Sequence, residues 1–266
     1  MTVAEMTTSA DGTAIVFERA GEGAPVIIVG GAFNDRHSAT ALAEQLAPSF
    51  TVYTYDRRGR GDSGFTEPYA VEREIEDLEA VIDAVGGSAS LFGHSSGGAL
   101  ALETTARGLS VSRLAMYEPP YIVDETRPPL PEDYVEHLEE LTAAGKRREI
   151  VGYFMTNAVG MPAEMVEPML DSPMVGDMES LAHTVSHDGR VLLRGSMYGE
   201  PLPAEWRDSV TVPTLVMDGG NSPDWLHNSC RALVALLPDV CYRTLDGQDH
   251  GASPEAIAPA LEDFLD

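Results

Sequence analysis

Residues 92–100, Phe-Gly-His-Ser-Ser-Gly-Gly-Ala-Leu, join a short apolar run, Ser-Ala-Ser-Leu-Phe, to a run of helical character, Ser-Gly-Gly-Ala-Leu-Ala-Leu-Glu-Thr-Thr-Ala. A strand that turns into a helix within so few residues brings backbones too close for a Cβ at the corners. That accounts for Gly93 and Gly97 in the frame Gly-x-Ser-x-Gly. The turn lifts the Ser95 side chain into the open at the helix N-terminus, and it leaves the Ser96 N–H without an intrahelical acceptor, free to face an anion. Of the two adjacent serines, Ser95 is placed for attack and Ser96 for its amide.

The rest of the chain supplies a sheet to hold such a turn. Short β-branched or aromatic runs read as strands: TAIVFERA, PVIIVG, TVYTYD, SASLFG, SRLAMY, PTLVMD and VCYRTL. Helical spacing of apolar residues marks Ser38–Ala47, Val71–Val85, Ser96–Arg107, Asp224–Leu237 and Pro254–Leu265. Strand and helix in alternation predict an α/β fold, a mainly parallel sheet with helices on both faces.

The alternation lapses between about Asp124 and Asp208, where helix-like pieces such as DYVEHLEELTAAG and REIVGYFMTNAVG follow one another without a strand. An insertion explains this, giving a core of residues 1–123 and 209–266 and a helical cap, or lid, at 124–208. TRPPLP opens the insertion and EPLPAEW closes it. It holds Met155, Met161, Met165, Met169, Met174, Met178 and Met197 out of the 11 methionines of the chain. Methionine fills small helical cores and also adapts to apolar ligands.

Charge narrows the partners. With 43 acidic and 17 basic residues the net charge is −26, a field that repels phosphate backbones and anionic headgroups, so neither nucleic acid nor a membrane surface is an expected partner. The N-terminus MTVAEMTTSADG has no basic start and no apolar core, and no run approaches the roughly 18 apolar residues of a span. A soluble, cytoplasmic protein is expected. Cys230 and Cys241 fall in a helix and then a strand, and are expected to diverge and stay reduced. Oligomeric state has no signature in the sequence.

Four segments together resemble the α/β-hydrolase superfamily: the elbow around Ser95, Gly30-Gly31-Ala32-Phe33 after PVIIV, YDRRGRGDSG after the next strand, and DGQDHG between the last strand and the last helix. They span nearly all of the core, whereas the cap matches nothing specific. The resemblance implies Ser95 as nucleophile, His250 as general base, and the backbone amides of Ala32 and Ser96 as an oxyanion hole. It implies a structural role for the arginine-glycine turn, packed beside the elbow, and neither a metal nor an organic cofactor. His94, His137, His183 and His187 have weaker contexts than His250 and are expected to be packed or solvated.

One member is out of place. Most of the superfamily carries its acid as Gly-x-x-Asp after the strand that here reads PTLVM, but this chain reads Gly219-Gly220-Asn221-Ser222, and a hydroxyl cannot balance an imidazolium. Asp218 and Asp224 lie nearby. Glu118 is favoured, because a minority of the superfamily places its acid after the preceding strand, and here Pro119-Pro120 fix the backbone that follows it. Among families with that placement the chain is most similar to zearalenone-type lactone hydrolases, through its length, Ser-Ser-Gly at the elbow and the AM-x-E string. Haloalkane dehalogenases share the placement but attack with aspartate.

The expected chemistry is serine-dependent cleavage of a small, apolar carboxylic ester or lactone through an acyl-enzyme. Two alternatives stay open: cofactor-free lyase or oxygenase chemistry on the same fold, and a hydrolase-fold binding protein without catalysis.

Overall fold

The computed structural model describes residues 4–173 and 175–266. Met174, one of the insertion methionines, lies outside the described residues. Among the described residues eight strands form one sheet: β1 (Glu5–Thr8), β2 (Ala14–Ala20), β3 (Ala24–Val29), β4 (Phe50–Tyr55), β5 (Ala89–His94), β6 (Val111–Tyr117), β7 (Thr214–Gly219) and β8 (Val240–Leu245). Their order is β1-β2-β4-β3-β5-β6-β7-β8. β1 and β2 run antiparallel at one edge, and every pairing from β4 to β8 is parallel. The seven strands expected from the sequence are all present, and β1 is additional. Its four residues show no hydrophobic alternation, and it is held by backbone pairing to β2.

Period-two alternation divides the apolar side chains between two faces. Ile27 and Val29 of β3 join one core with α2 (Val71–Ala84), α3 (Ser96–Ala106) and α10 (Asp224–Leu236), whereas Val26 and Ile28 join a second core with α1 (Thr40–Leu46) and α11 (Pro254–Leu265). β5 and its neighbours are covered on both faces, so they read as near-continuous apolar runs.

Between β6 and β7 the chain forms α4 (Tyr134–Ala143), α5 (Arg147–Phe154), α6 (Ala163–Leu170), α7 (Val175–Leu181), α8 (Val185–Leu192) and α9 (Trp206–Ser209), with no strand among the described residues. Residues Met155–Val159 continue α5 as a π-helical turn that ends at Gly160, whose φ is 78°. This segment has an apolar cluster of its own, built on Tyr134, Val135, Leu138, Ile150, Val151 and Met197. Met155, Met161, Met169 and Met178 pack against it, whereas Met165 is exposed. No helix among the described residues is long and apolar enough to cross a membrane. Both cysteines are free, Cys230 buried and Cys241 exposed.

Candidate active site

The elbow closes as its glycines require. A Cβ on Gly97 would sit 2.1 Å from the Val29 carbonyl oxygen, and one on Gly93 would sit 2.4 Å from the Gly97 carbonyl oxygen. Between them Ser95 caps α3 at φ 57°, ψ −129°, a region that residues with a side chain rarely occupy. Three non-glycine residues among the described ones have left-handed φ: Phe33 at 57°, Ser95 at 57° and Glu118 at 46°. All three fall in segments expected to build one site, which is where backbone strain tends to be stored.

His250 lies in the loop between β8 and α11, within reach of both partners. Its Nε2 is 3.1 Å from Ser95 Oγ, and its Nδ1 is 2.8 Å from Glu118 Oε2. With the proton on Nδ1, the imidazole donates to Glu118 and accepts from the Ser95 hydroxyl, the arrangement needed to draw off the hydroxyl proton. Glu118 is sealed from solvent, whereas the His250 side chain is 42% exposed. The second oxygen of Glu118 accepts the Gly219 N–H at 2.7 Å, so the carboxylate is clamped between β7 and the imidazole. The backbone around His250 is held too: Tyr117 donates its hydroxyl to the Asp249 carbonyl at 2.5 Å, and His94 Nε2–H donates to the His250 carbonyl at 2.9 Å. Burial pushes the His94 imidazole down to about 4, leaving it a neutral donor beside His250.

The loop after β3 lies against the elbow. A Cβ on Gly31 would come within 2.9 Å of the His94 carbonyl oxygen and 3.1 Å of Ser95 Cβ. Ala32 follows in that loop, and among the described residues its N–H and that of Ser96 have no acceptor. Two unpaired amides beside an accessible hydroxyl can hold an anion that develops on a carbonyl oxygen. Phe33 meets Phe154 of α5 edge-on, with ring centroids 5.1 Å apart, so the helical segment touches this loop through an aromatic pair.

The other two acids stand apart from His250. Asp218 is fully buried but accepts from His227 Nδ1–H at 2.6 Å and from the Tyr242 hydroxyl, while Asp224 is exposed in the first turn of α10. Ser222, at the usual place of the acid, is buried with its hydroxyl unpartnered among the described residues. No three His, Cys, Asp or Glu side chains among the described residues are grouped to hold a metal ion.

Sequence reading missed the partners of the arginine-glycine turn. Arg57, Arg58 and Arg60 are among the largest fully enclosed side chains of the chain. Arg57 and Arg60 both reach Asp188 of α8, which also accepts the Ser96 hydroxyl. Three arginines within four residues are a sign that carboxylates must be found for them. Nothing local in the sequence says which.

Known proteins share the fold that carries these residues. The model of a family described as the alpha/beta hydrolase family matches residues 26–260. The crystal structure of an alpha/beta hydrolase from Sphaerobacter thermophilus is 50% identical, with 98% of this chain and 100% of that one covered and a TM-score of 0.91. A thermophilic esterase from Thermogutta terrifontis, 22% identical at a TM-score of 0.71 over 100% of this chain and 98% of its own, shares the fold. N-formylmaleamate deformylase of Pseudomonas putida is 34% identical over 104 residues, 38% of this chain and 39% of that protein. An uncharacterized hydrolase of Bacillus subtilis, YraK, is 32% identical over 40% of this chain and 41% of its own length. The chain thus spans about two-fifths of each of these two curated relatives.

Proposed function

This chain belongs to the alpha/beta hydrolase family, and from that premise we propose that it cleaves a small, apolar carboxylic ester or lactone through an acyl-enzyme on Ser95. The reading rests on one observation, the unbroken line from Glu118 through His250 to Ser95 at 2.8 and 3.1 Å. His250 Nε2 takes the hydroxyl proton as Ser95 Oγ bonds to the carbonyl carbon. The carbonyl electron pair moves onto oxygen, where the amides of Ala32 and Ser96 stabilise it. When the tetrahedral adduct collapses the C–O bond breaks, and the leaving alkoxide takes the proton back from His250. Water then bonds to the acyl carbon as its proton passes to His250, and the acyl–Oγ bond breaks with that proton returned to Ser95, releasing the carboxylic acid. Glu118 holds the ring in the productive tautomer and offsets its transient positive charge.

The helical segment at 124–208 acts as a cap in this reading. Phe33, in the loop that lies against the elbow, and Phe154, which meets it edge-on, supply apolar surface at that loop, suited to a ligand with little charge. A macrolactone of the zearalenone type is the specific substrate we propose. After ring opening its alcohol and its acyl group remain parts of one molecule, so hydrolysis releases a single hydroxy acid.

The test is a panel of p-nitrophenyl esters, simple lactones and resorcylic macrolactones, run with the wild type and Ser95→Ala in parallel. The variant is expected to lose about 10⁴-fold in kcat on any substrate turned over. Full activity without Ser95 overturns the proposal. Preference for short linear esters would overturn the macrolactone alone.

A further inference from the structure

Arg57 and Arg60 lie almost wholly buried between the sheet and α8, and each joins the core to the helical segment. Arg57 grips Glu74 with Nε and Nη2, both at 2.7 Å, and directs Nη1 to Asp188 Oδ1 at 2.5 Å and to the Gly30 carbonyl at 3.2 Å. Arg60 directs Nη2 to Asp188 Oδ2 at 2.8 Å and Nη1 to the carbonyls of Gly31 at 2.5 Å and Asn34 at 3.1 Å. Asp188 Oδ1 also accepts the Ser96 hydroxyl at 2.8 Å. Two guanidiniums therefore face two carboxylates, Glu74 and Asp188, in a site closed to water.

The carbonyls held by Arg60 flank Ala32, and the hydroxyl held by Asp188 belongs to Ser96. Both amides expected to bind the oxyanion are thus fastened, from opposite sides, to one carboxylate that the helical segment carries. We propose that Asp188 is a positioning residue for the oxyanion hole, and that the hole is in register only while α8 is docked against the elbow. This rests on the reading of Ser95 as nucleophile.

Hydrogen bonds to an ionised acceptor are short and stiff, and a preorganised hole loses much of its effect when its donors move by an ångström. The network also carries a cost. Arg60 Nε is buried without an acceptor among the described residues, a penalty the fold sustains while the other guanidinium donors stay on Asp188 and the loop.

Ser96→Ala removes the hydroxyl and leaves both ion pairs and the backbone amide in place. Asp188→Asn keeps the shape and removes the charge. With an ester that the wild type hydrolyses, Ser96→Ala is expected to lose about tenfold in kcat with KM within about twofold. Affinity for phenylboronic acid, whose Ser95 adduct places an oxygen in the hole, should fall by the same factor as kcat/KM, with the melting temperature nearly unchanged. Asp188→Asn is expected to lose about 10- to 100-fold in kcat, and the double variant no more, because the two changes break a shared contact. If Asp188→Asn does not fold, Ser96→Ala carries the test.

Wild-type kcat and boronate affinity in Ser96→Ala, or losses that multiply in the double variant, would overturn the assignment of Asp188 while leaving Ser95 as nucleophile. Ester hydrolysis that survives Ser95→Ala would instead overturn the reading beneath it.

Discussion

Two buried carboxylates stand side by side at the ends of neighbouring strands. Tyr117 of β6 pairs with Met217 of β7, and the next residues are Glu118 and Asp218, both fully enclosed. Each binds the Nδ1 of a histidine, at 2.8 Å for Glu118 with His250 and 2.6 Å for Asp218 with His227. As acid–imidazole pairs they are nearly equivalent, yet one reaches the Ser95 hydroxyl and the other does not. The difference lies in the backbone. Asp218 remains in the extended strand, in register with Thr244 of β8, and meets side chains of α10 and β8. Glu118 has left the strand at φ 46° and turns to the loop that carries His250. A carboxylate–imidazole pair is therefore no sign of a reaction by itself. What sets the Glu118 pair apart is that its imidazole also meets a hydroxyl, that of Ser95.

Breaking each pair separately should give unlike results. Glu118→Gln is expected to lower kcat by about 10³- to 10⁴-fold, since the imidazole loses both its orientation and its counter-charge. Asp218→Asn should leave kcat within about threefold of wild type, as steady-state kinetics would show. Its cost falls on stability instead: weakening the bonds from His227 and Tyr242 in a closed site should lower the unfolding free energy by about 1–3 kcal/mol, read as an earlier urea midpoint. A large kcat loss in Asp218→Asn would mean that the two pairs have been assigned the wrong way round.

Acid sharpens the contrast through histidines that belong to neither pair. Burial holds His94 and His187 at about 4, below the ordinary value near 6.5. Between those limits the unfolded chain binds protons that the folded chain refuses, so stability falls as pH drops from about 6.5 to about 4. His187 lies stacked on Tyr69, with ring centroids 3.9 Å apart. His187→Phe keeps an aromatic ring there and removes the proton site, so the fall in melting temperature from pH 7 to pH 5 should shrink by a few degrees. An unchanged fall would show that His187 is not a proton-refusing group. The smallest effect is expected at Ser222, whose hydroxyl is buried without a partner among the described residues. Ser222→Ala should alter stability by less than about 1 kcal/mol and leave kcat unchanged.

Features carried by local rules were legible in the sequence. The Gly-x-Ser-x-Gly turn is dictated by close backbone approach, and the near-continuous apolar runs of the central strands by the two covered faces of the sheet. Glu118 became visible because Ser222 stands where a carboxylate is normally found, which forces a search elsewhere. Long-range pairing was not legible. Asp188 lies 131 residues from Arg57 and 128 from Arg60, in a segment without a recognisable motif, so the pairing appears only when α8 packs on the elbow. The capture of Asp218 by His227 and Tyr242 is hidden in the same way, since it depends on which face of β7 meets α10. β1 left no pattern because a four-residue edge strand is held by its backbone and not by an alternating apolar face.

The most direct measurement of whether Ser95, His250 and Glu118 act as one unit is the rate at which a fluorophosphonate labels the protein, with the modified residue located by mass spectrometry. A single adduct on Ser95 is expected, formed about 10³-fold more slowly in Glu118→Gln and within about threefold of the wild-type rate in Asp218→Asn. An adduct elsewhere, or a rate that follows Asp218 and ignores Glu118, would contradict their acting as one unit.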